Sequence, residues 1–286
     1  MELSFEFWYL FPASIFIATI AMSTGIGGAV FFSPLFMLAL KLEPKIAIGA
    51  ALITELFGFS SGLIAYYKAK FIDFKLAKNL LIFSVPAAVV GAYYADAIPP
   101  IVLKTIFAVG LMFIGIQLFN AWRKEEREKK EAEHREEFAT SYESELTDAD
   151  GKKYRYTVCN RNMGRSFAVI GGAFVGMISV GLAELQEYHL VARCKVPTPV
   201  AVATSIFIVV ITVLVASVGH FYEFAKEGSE VLNQVLSVVL FTLPGVIIGG
   251  QIGPKLQKKL PEDKMKVGIS ILFVILGFFM LYTLTQ

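Results

Sequence analysis

Val85-Pro86-Ala87-Ala88-Val89-Val90-Gly91-Ala92 and Leu243-Pro244-Gly245-Val246-Ile247-Ile248-Gly249-Gly250 are one pattern written twice, with Pro-x4-Gly in register. Upstream of the two copies a second match appears, Ile46-Ala47-Ile48-Gly49-Ala50-Ala51 against Val200-Ala201-Val202-Ala203-Thr204-Ser205. The chain therefore carries an internal repeat, and the repeated unit is hydrophobic. Of 286 residues 56% are hydrophobic and 17% charged, and the mean hydropathy is +0.63. That composition excludes an ordinary soluble domain and points to an integral membrane protein. Repeated sets of membrane helices are the architecture of secondary transporters, whose halves rock about a central site.

Apolar runs of about 20 residues, enough for a hydrocarbon core of roughly 30 Å, lie near 46–67, 79–98, 101–120, 200–222, 232–253 and 265–284. These are six full spans. Two further stretches, 8–41 and 166–192, are too long for one span and carry a polar or glycine-rich break in the middle. Each is expected to form a pair of short helices. The start of the chain offers Glu2 and Glu6 where a signal peptide would be basic, so it is expected to be retained.

Charge sets the topology. Loop 68–78 holds Lys68, Lys70, Lys75 and Lys78, whereas its repeat partner at 225–230 holds Lys226 alone. The next loop reverses the bias, with Lys104 in the first copy against Lys255, Lys258, Lys259, Lys264 and Lys266 in the second. By the positive-inside rule the two halves enter the membrane upside down relative to each other. The linker joins them on one side, so each half needs an odd number of crossings. Three full spans satisfy this if each split segment goes in and returns, whether it turns at mid-depth or crosses as two short helices. The expected fold is an all-α polytopic membrane protein of two inverted-topology repeats, each a broken helical hairpin plus three transmembrane helices. The expected divisions are 1–122, a cytoplasmic linker at 123–164, and 165–286, in the cell membrane with both termini outside.

The linker opens as a charged helix from Arg123 to about Phe138, with Glu125/Lys129 and Glu126/Lys130 pairs at i,i+4. Beyond it, Glu145-Leu146-Thr147 and Tyr154-Arg155-Tyr156-Thr157-Val158 flank the turn signal Asp148-Ala149-Asp150-Gly151, so a small β-hairpin is expected. It is either a docking element or a plain connector. The two cysteines, Cys159 and Cys194, are too few for a framework and lie in different kinds of segment, so no structural disulfide is expected.

The first hairpin breaks at Ser23-Thr24-Gly25-Ile26-Gly27-Gly28 and the second at Ser179-Val180-Gly181-Leu182-Ala183-Glu184. Backbone left unpaired at membrane depth is tolerated only where protein or a watery cavity satisfies it. The N-terminus of each returning half-helix presents free N–H groups and a positive dipole end, and two such ends form an anion site. The plainer reading is that Gly25, Gly27, Gly28 and Gly181 only let helices pack closely. Thr54 and Glu55 in the following helix of the first copy, and Thr204, Ser205 and Thr212 in the second, add polar groups near the same depth; any of the hydroxyls can instead bond its own helix. Ala51, Glu55, Gly58 and Gly62 share a face, which should pack inward.

Intramembrane carboxylates are costly and default to functional candidates. Glu184, Glu187 and Tyr188 stand at i, i+3 and i+4, with Gln186 and His189 beside them. Glu55, Glu184 and Glu187 are the candidates for proton coupling, because burial disfavours the charged form of a carboxyl. Structurally, Glu184 can cap free N–H groups of its own arm, and Glu187 can pair with Arg193 or Lys195. His189 and His220 are either proton relays or interfacial side chains.

These residues resemble the TauE/SafE sulfite exporter family. The resemblance spans nearly the whole chain: the Gly25-Ile26-Gly27-Gly28 break with Pro34 behind it, the Pro86 and Pro244 segments, the paired halves, and Glu184-Leu185-Gln186-Glu187-Tyr188 followed by Val196-Pro197. It departs from the family's usual pattern at Ala50-Ala51, where Thr-Ser is common, and at Ala183-Glu184, where Gly-Gly is expected. The resemblance implies export of sulfite or a related sulfur oxyanion or sulfonate. On this reading Thr24, Gly25, Gly27, Gly28, Thr54, Gly181, Gln186, Thr204 and Ser205 bind substrate, with the chemistry concentrated in the second half. The expected partners are a small anionic substrate and the lipid bilayer, with a homodimer left open; no nucleic acid, cofactor or metal is expected. The nearest rival is a cation transporter ligating Na+ or a divalent ion through the carboxylates. A membrane enzyme would need a nucleophile with a base or a metal cluster, whereas His134 lies in the linker and Cys194 has no partner nearby in sequence.

Overall fold

The computed structural model describes residues 7–95, 97–132, 144–257 and 262–284. Ten α-helices run in chain order among them: α1 Leu10–Thr24, α2 Ala29–Leu38, α3 Pro44–Lys68, α4 Phe74–Ala95, α5 Pro100–Ala132, α6 Arg161–Ile178, α7 Leu182–Glu187, α8 Thr198–Glu227, α9 Ser229–Gln257 and α10 Glu262–Tyr282. The strands β1 (Ser144–Thr147) and β2 (Lys153–Tyr156) stand between α5 and α6. Helix α7 continues as a π-helical turn, Tyr188–Arg193. Both overlong apolar stretches are thus split, at Gly25–Gly28 and at Ser179–Gly181.

Helices α3, α4, α5, α8 and α9 are long and apolar enough to cross a membrane, and the described apolar run of α10, Val267–Tyr282, is shorter. Burial sorts them into an inner and an outer set. In the apolar windows of α3 and α8, 72% and 78% of residues are buried inside the protein, against 28% in α4 and 33% in α9. The outer helices instead expose large apolar side chains, such as Ile82, Val90 and Tyr93 on α4 and Ile275 and Phe278 on α10. A bilayer accepts such side chains, since lipid tails are as apolar as leucine.

The helix pairings exchange halves. Helix α1 packs on α9 and α6 on α4; α3 packs on both α8 and α9, and α8 on both α3 and α4; α5 packs on α10. The duplicated Pro-x4-Gly pattern lies at the first two of these contacts. A Cβ on Gly91 of α4 would collide with the carbonyl oxygen of Ala173 in α6, and a Cβ on Gly249 of α9 with that of Ile15 in α1. In lipid no hydrophobic force draws helices together, so close backbone approach through small residues supplies the attraction. Each glycine of the repeated pattern therefore seats the hairpin of the other half.

The β-hairpin forms where the turn signal placed it, with Ser144 paired to Tyr156 and Thr147 to Lys153. The Asp148 carboxylate closes the turn by accepting from the N–H groups of Asp150 at 3.0 Å and Lys152 at 2.8 Å. It docks on the loop between α3 and α4. Ala149 N–H donates to Ala69 O (3.1 Å), Tyr156 Oη donates to Asp73 Oδ2 (2.8 Å), and Tyr154 meets Phe71 edge-on. Asp73 also caps α4 by accepting from Leu76 N–H at 2.9 Å. Burial, then the bond to Asp73, holds the Tyr156 hydroxyl above the ordinary phenol range.

Helix α5 runs into the charged segment as far as Ala132; the remainder of the expected helix to Phe138, the side chains of the Glu125/Lys129 and Glu126/Lys130 pairs, and His134 lie outside the described residues. Helix α6 begins at Arg161, ahead of its apolar stretch, because the Asn160 side chain caps it by accepting from Met163 N–H at 3.2 Å. The expectation of unpaired cysteines is overturned: Cys159 and Cys194 form a disulfide with their Cα atoms 5.1 Å apart. They stand 35 positions apart, with the second hairpin between them returning to its own start, so distance along the chain was a poor guide to distance in space.

Candidate functional site

The two breaks face each other at the protein's centre. Helix α1 ends on Gly25, whose φ of 79° is left-handed and whose N–H donates to Ala21 O at 2.9 Å. Val202 of α8 packs against it, with a methyl group 3.1 Å from where a Cβ would stand. In the second hairpin α6 ends on Ser179, and Gly181, with φ 115°, starts α7. The Ser33 and Ser179 hydroxyls, 3.0 Å apart, tie α2 to the second break.

Glu184 joins the two. Its Oε2 accepts from the N–H of Gly181 at 3.0 Å, and its Oε1 accepts from the N–H of Gly27 at 3.1 Å, across the interface between the halves. The side chain is 3% exposed. A carboxylate at the third position of a helix reaches back to the amide that precedes the helix. Here one oxygen does that, and the other does the same for the opposite hairpin. Glu55 of α3 serves the first hairpin alone, facing the backbone N–H groups of Ala29 and Gly28 at the start of α2. Its Oε1 is buried and has no hydrogen-bond partner among the described residues. A Cβ on Gly27 would lie 3.0 Å from Glu55 Oε1 and 3.3 Å from Glu184 Oε1, so two carboxyl groups converge on one glycine.

The expected pair of free helix ends is therefore already filled, by carboxyl groups of the chain. This changes what the arrangement can do. An oxyanion would use the same Gly27 and Gly181 amides that Glu184 uses now, and two anionic groups cannot share them.

The other candidate residues divide. Thr24 Oγ1 donates to Ile20 O at 2.9 Å in its own helix. Thr54 Oγ1 pairs with Thr242 Oγ1 of α9 at 3.0 Å, and Thr204 Oγ1 accepts from Asp73 N–H at 3.0 Å. Thr212 donates to Ile208 O at 2.8 Å and lies 3.0 Å from Ser84 Oγ. These hydroxyls hold helices and loops together. Ser205 Oγ and Gln186 Oε1 are buried without partners among the described residues, while Gln186 Nε2 donates to Gly164 O at 3.4 Å. Glu187 is buried, and Arg193 donates to Met163 Sδ at 3.0 Å. His189 and His220 are both buried within the protein, His220 Nε2 lying 2.9 Å from Gly176 O. Ser33 carries no signal of its own in the sequence, because nothing local distinguishes a serine that meets the other half from one that bonds its own helix.

The model of the family described as Sulfite exporter TauE/SafE matches residues 10–280. Among curated proteins the chain is similar to "Probable membrane transporter protein YunE" of Bacillus subtilis (strain 168), at 24% identity over 97% of this chain and 98% of that protein. It is also similar to "Probable membrane transporter protein YjnA" of the same organism, at 24% identity over 86% of this chain and 89% of the relative. No solved structure matches.

Proposed function

The chain belongs to the sulfite exporter TauE/SafE family, a family of membrane transporters rather than enzymes, and from that premise we propose that it exports a small sulfur-containing anion such as sulfite or a sulfonate. The substrate passes between the two hairpins, and Glu184 couples its passage to protons. The observation that carries this reading is the Glu184 carboxylate held by one amide from each hairpin, Gly27 and Gly181. Charge-assisted bonds of this kind are about twice as strong as neutral ones, and only a competing anion or a proton on the carboxyl relieves them. When Glu184 takes up a proton, it becomes a weaker partner for both amides and no longer repels an incoming anion. The oxyanion then takes the two N–H groups, and return of the carboxylate expels it. The exchange of hairpins between halves and the reversed lysine bias support two inverted repeats moving about this point, with the linker on the cytoplasmic side.

A second reading is cation transport, favoured by the convergence of Glu55 Oε1 and Glu184 Oε1 on Gly27. Counterflow of labelled sulfite and simple sulfonates in proteoliposomes, with and without a pH gradient, tests the first against Na+ and divalent ions. Glu184→Gln is expected to retain anion exchange and lose its pH dependence. An unchanged pH profile ends the coupling mechanism, and no counterflow with any anion ends the substrate class.

A further inference from the structure

The disulfide carries a neighbour that a disulfide does not need. Cys194 Sγ lies 3.8 Å from Nε2 and 4.0 Å from Nδ1 of His189, and one ligand atom each from Cys159, His189 and Cys194 all fall within 4.8 Å of one another. His189 is 1% exposed. Among the described residues its ring nitrogens have no hydrogen-bond partner other than that sulfur. A buried imidazole is expected to have a good partner, and a sulfur is only a weak acceptor unless it is a thiolate. The ring is therefore poorly served by the oxidised pair and well served by reduced sulfur or by a metal.

The backbone makes the cluster on purpose of geometry. In an α-helix residues five apart point roughly 140° away from each other. The π-helical turn Tyr188–Arg193, closed by Cys194 N–H donating to His189 O at 3.0 Å, winds more slowly and brings residue 194 back over residue 189. Such turns are rare and concentrate at functional sites. Gly164 of α6 leaves room for the ring, since a Cβ there would stand 2.8 Å from Nε2. A polar cleft lined by Asn79, Arg161 and His189 adjoins the cluster on the side of the ring.

We propose that Cys159, Cys194 and His189 form, when reduced, a binding site for a thiophilic divalent cation of the Zn2+ type, which the disulfide closes. Two thiolates and one imidazole are a donor set for zinc rather than for magnesium or calcium, with the fourth position open to the cleft. Reduction by a phosphine breaks the S–S bond: water supplies two protons to the sulfurs and its oxygen to the phosphine, which leaves as phosphine oxide. The metal then displaces the two thiol protons. In either state the start of α6 is clamped to the end of the π-helical turn, by a covalent bond or by an ion. The proposal does not depend on the substrate of the transporter.

The test uses the full chain in detergent, reduced with a phosphine and titrated with Co2+ under anaerobic conditions. A near-ultraviolet thiolate-to-cobalt charge-transfer band should rise to saturation at about one equivalent per chain and be displaced by Zn2+, as for tetrahedral thiolate sites. Unreduced protein, Cys194→Ser and Cys159→Ser should lose the saturable band, and His189→Gln should weaken binding at least roughly tenfold. Arg193→Gln, beside the site but not of it, should keep the band. Elution as a single folded species checks each variant. No band in the reduced wild type, or an equal band in Cys194→Ser, overturns the proposal.

Discussion

The two breaks share a plan and differ in who satisfies them. The second, at Ser179–Gly181, is closed from within, because Glu184 on its own returning arm accepts from Gly181 N–H. The first, at Gly25–Gly28, has no acid of its own and borrows two, Glu184 from the other half and Glu55 from α3. A break closed from within can stay formed while the halves separate. A break closed by the other half must lose a partner whenever they do. In the proposed cycle a proton on Glu184 loosens both amides, but only the Gly27 amide of the first hairpin also loses its partner when the halves move apart.

The largest effect is expected for Glu184→Ala, which strips an acceptor from both hairpins at once. Each buried N–H left unsatisfied costs about 1–3 kcal/mol, so thermal unfolding in detergent should fall clearly and counterflow should vanish. Glu55→Ala also strips two N–H groups, those of Gly28 and Ala29, but both belong to the first hairpin, so at a comparable cost in thermal stability it should reduce counterflow less than Glu184→Ala does. Equal losses of counterflow would show that the two carboxyl groups act as one unit rather than as local and shared caps.

A finer comparison lies within one turn. Gly27→Ala places a methyl group 3.0 Å from Glu55 Oε1 and 3.3 Å from Glu184 Oε1, whereas at Gly28 nothing lies nearer than 3.8 Å. Gly27→Ala should reduce counterflow several-fold by displacing the carboxyl groups, and Gly28→Ala should leave it close to wild type. The smallest effect is expected far from both breaks. Tyr156→Phe removes the bond to Asp73 Oδ2 and should cost about 1 kcal/mol, read as faster hydrogen exchange in β2. The Tyr156 hydroxyl is raised above its ordinary value in the folded protein. Its contribution should accordingly be complete below about pH 10, the unfolded value, and decline only as pH rises beyond that.

Much of the architecture was legible because the signals were local and repeated. Pro86 and Pro244, the six long apolar runs and the two glycine-rich breaks recur at matched positions, and Asp148 through Gly151 specify their turn by hydrogen bonds within five residues. The site was half legible. Inward-facing Glu55 followed from the small-residue face it shares with Gly58 and Gly62, and the capping of Gly181 by Glu184 followed from their spacing. That Glu184 also takes the Gly27 amide did not, since 157 residues separate them. The partners of the threonines were hidden for the same reason: Thr54 and Thr204 face Thr242 and Asp73, which no window of sequence contains.

What the sequence determined by itself is that this chain is a membrane protein with a duplicated plan, two split hairpins, and carboxylates costly enough at membrane depth to require a reason. The tertiary structure decided how that reason is met. Backbone N–H groups at a break in lipid have no water to turn to, so they take the nearest acceptor in space, and which carboxyl that is depends on helices folding across each other's halves. The same closure in space brought Cys159 to Cys194 and His189, a cluster that spacing along the chain conceals, because a hairpin brings its two ends together only after it has folded.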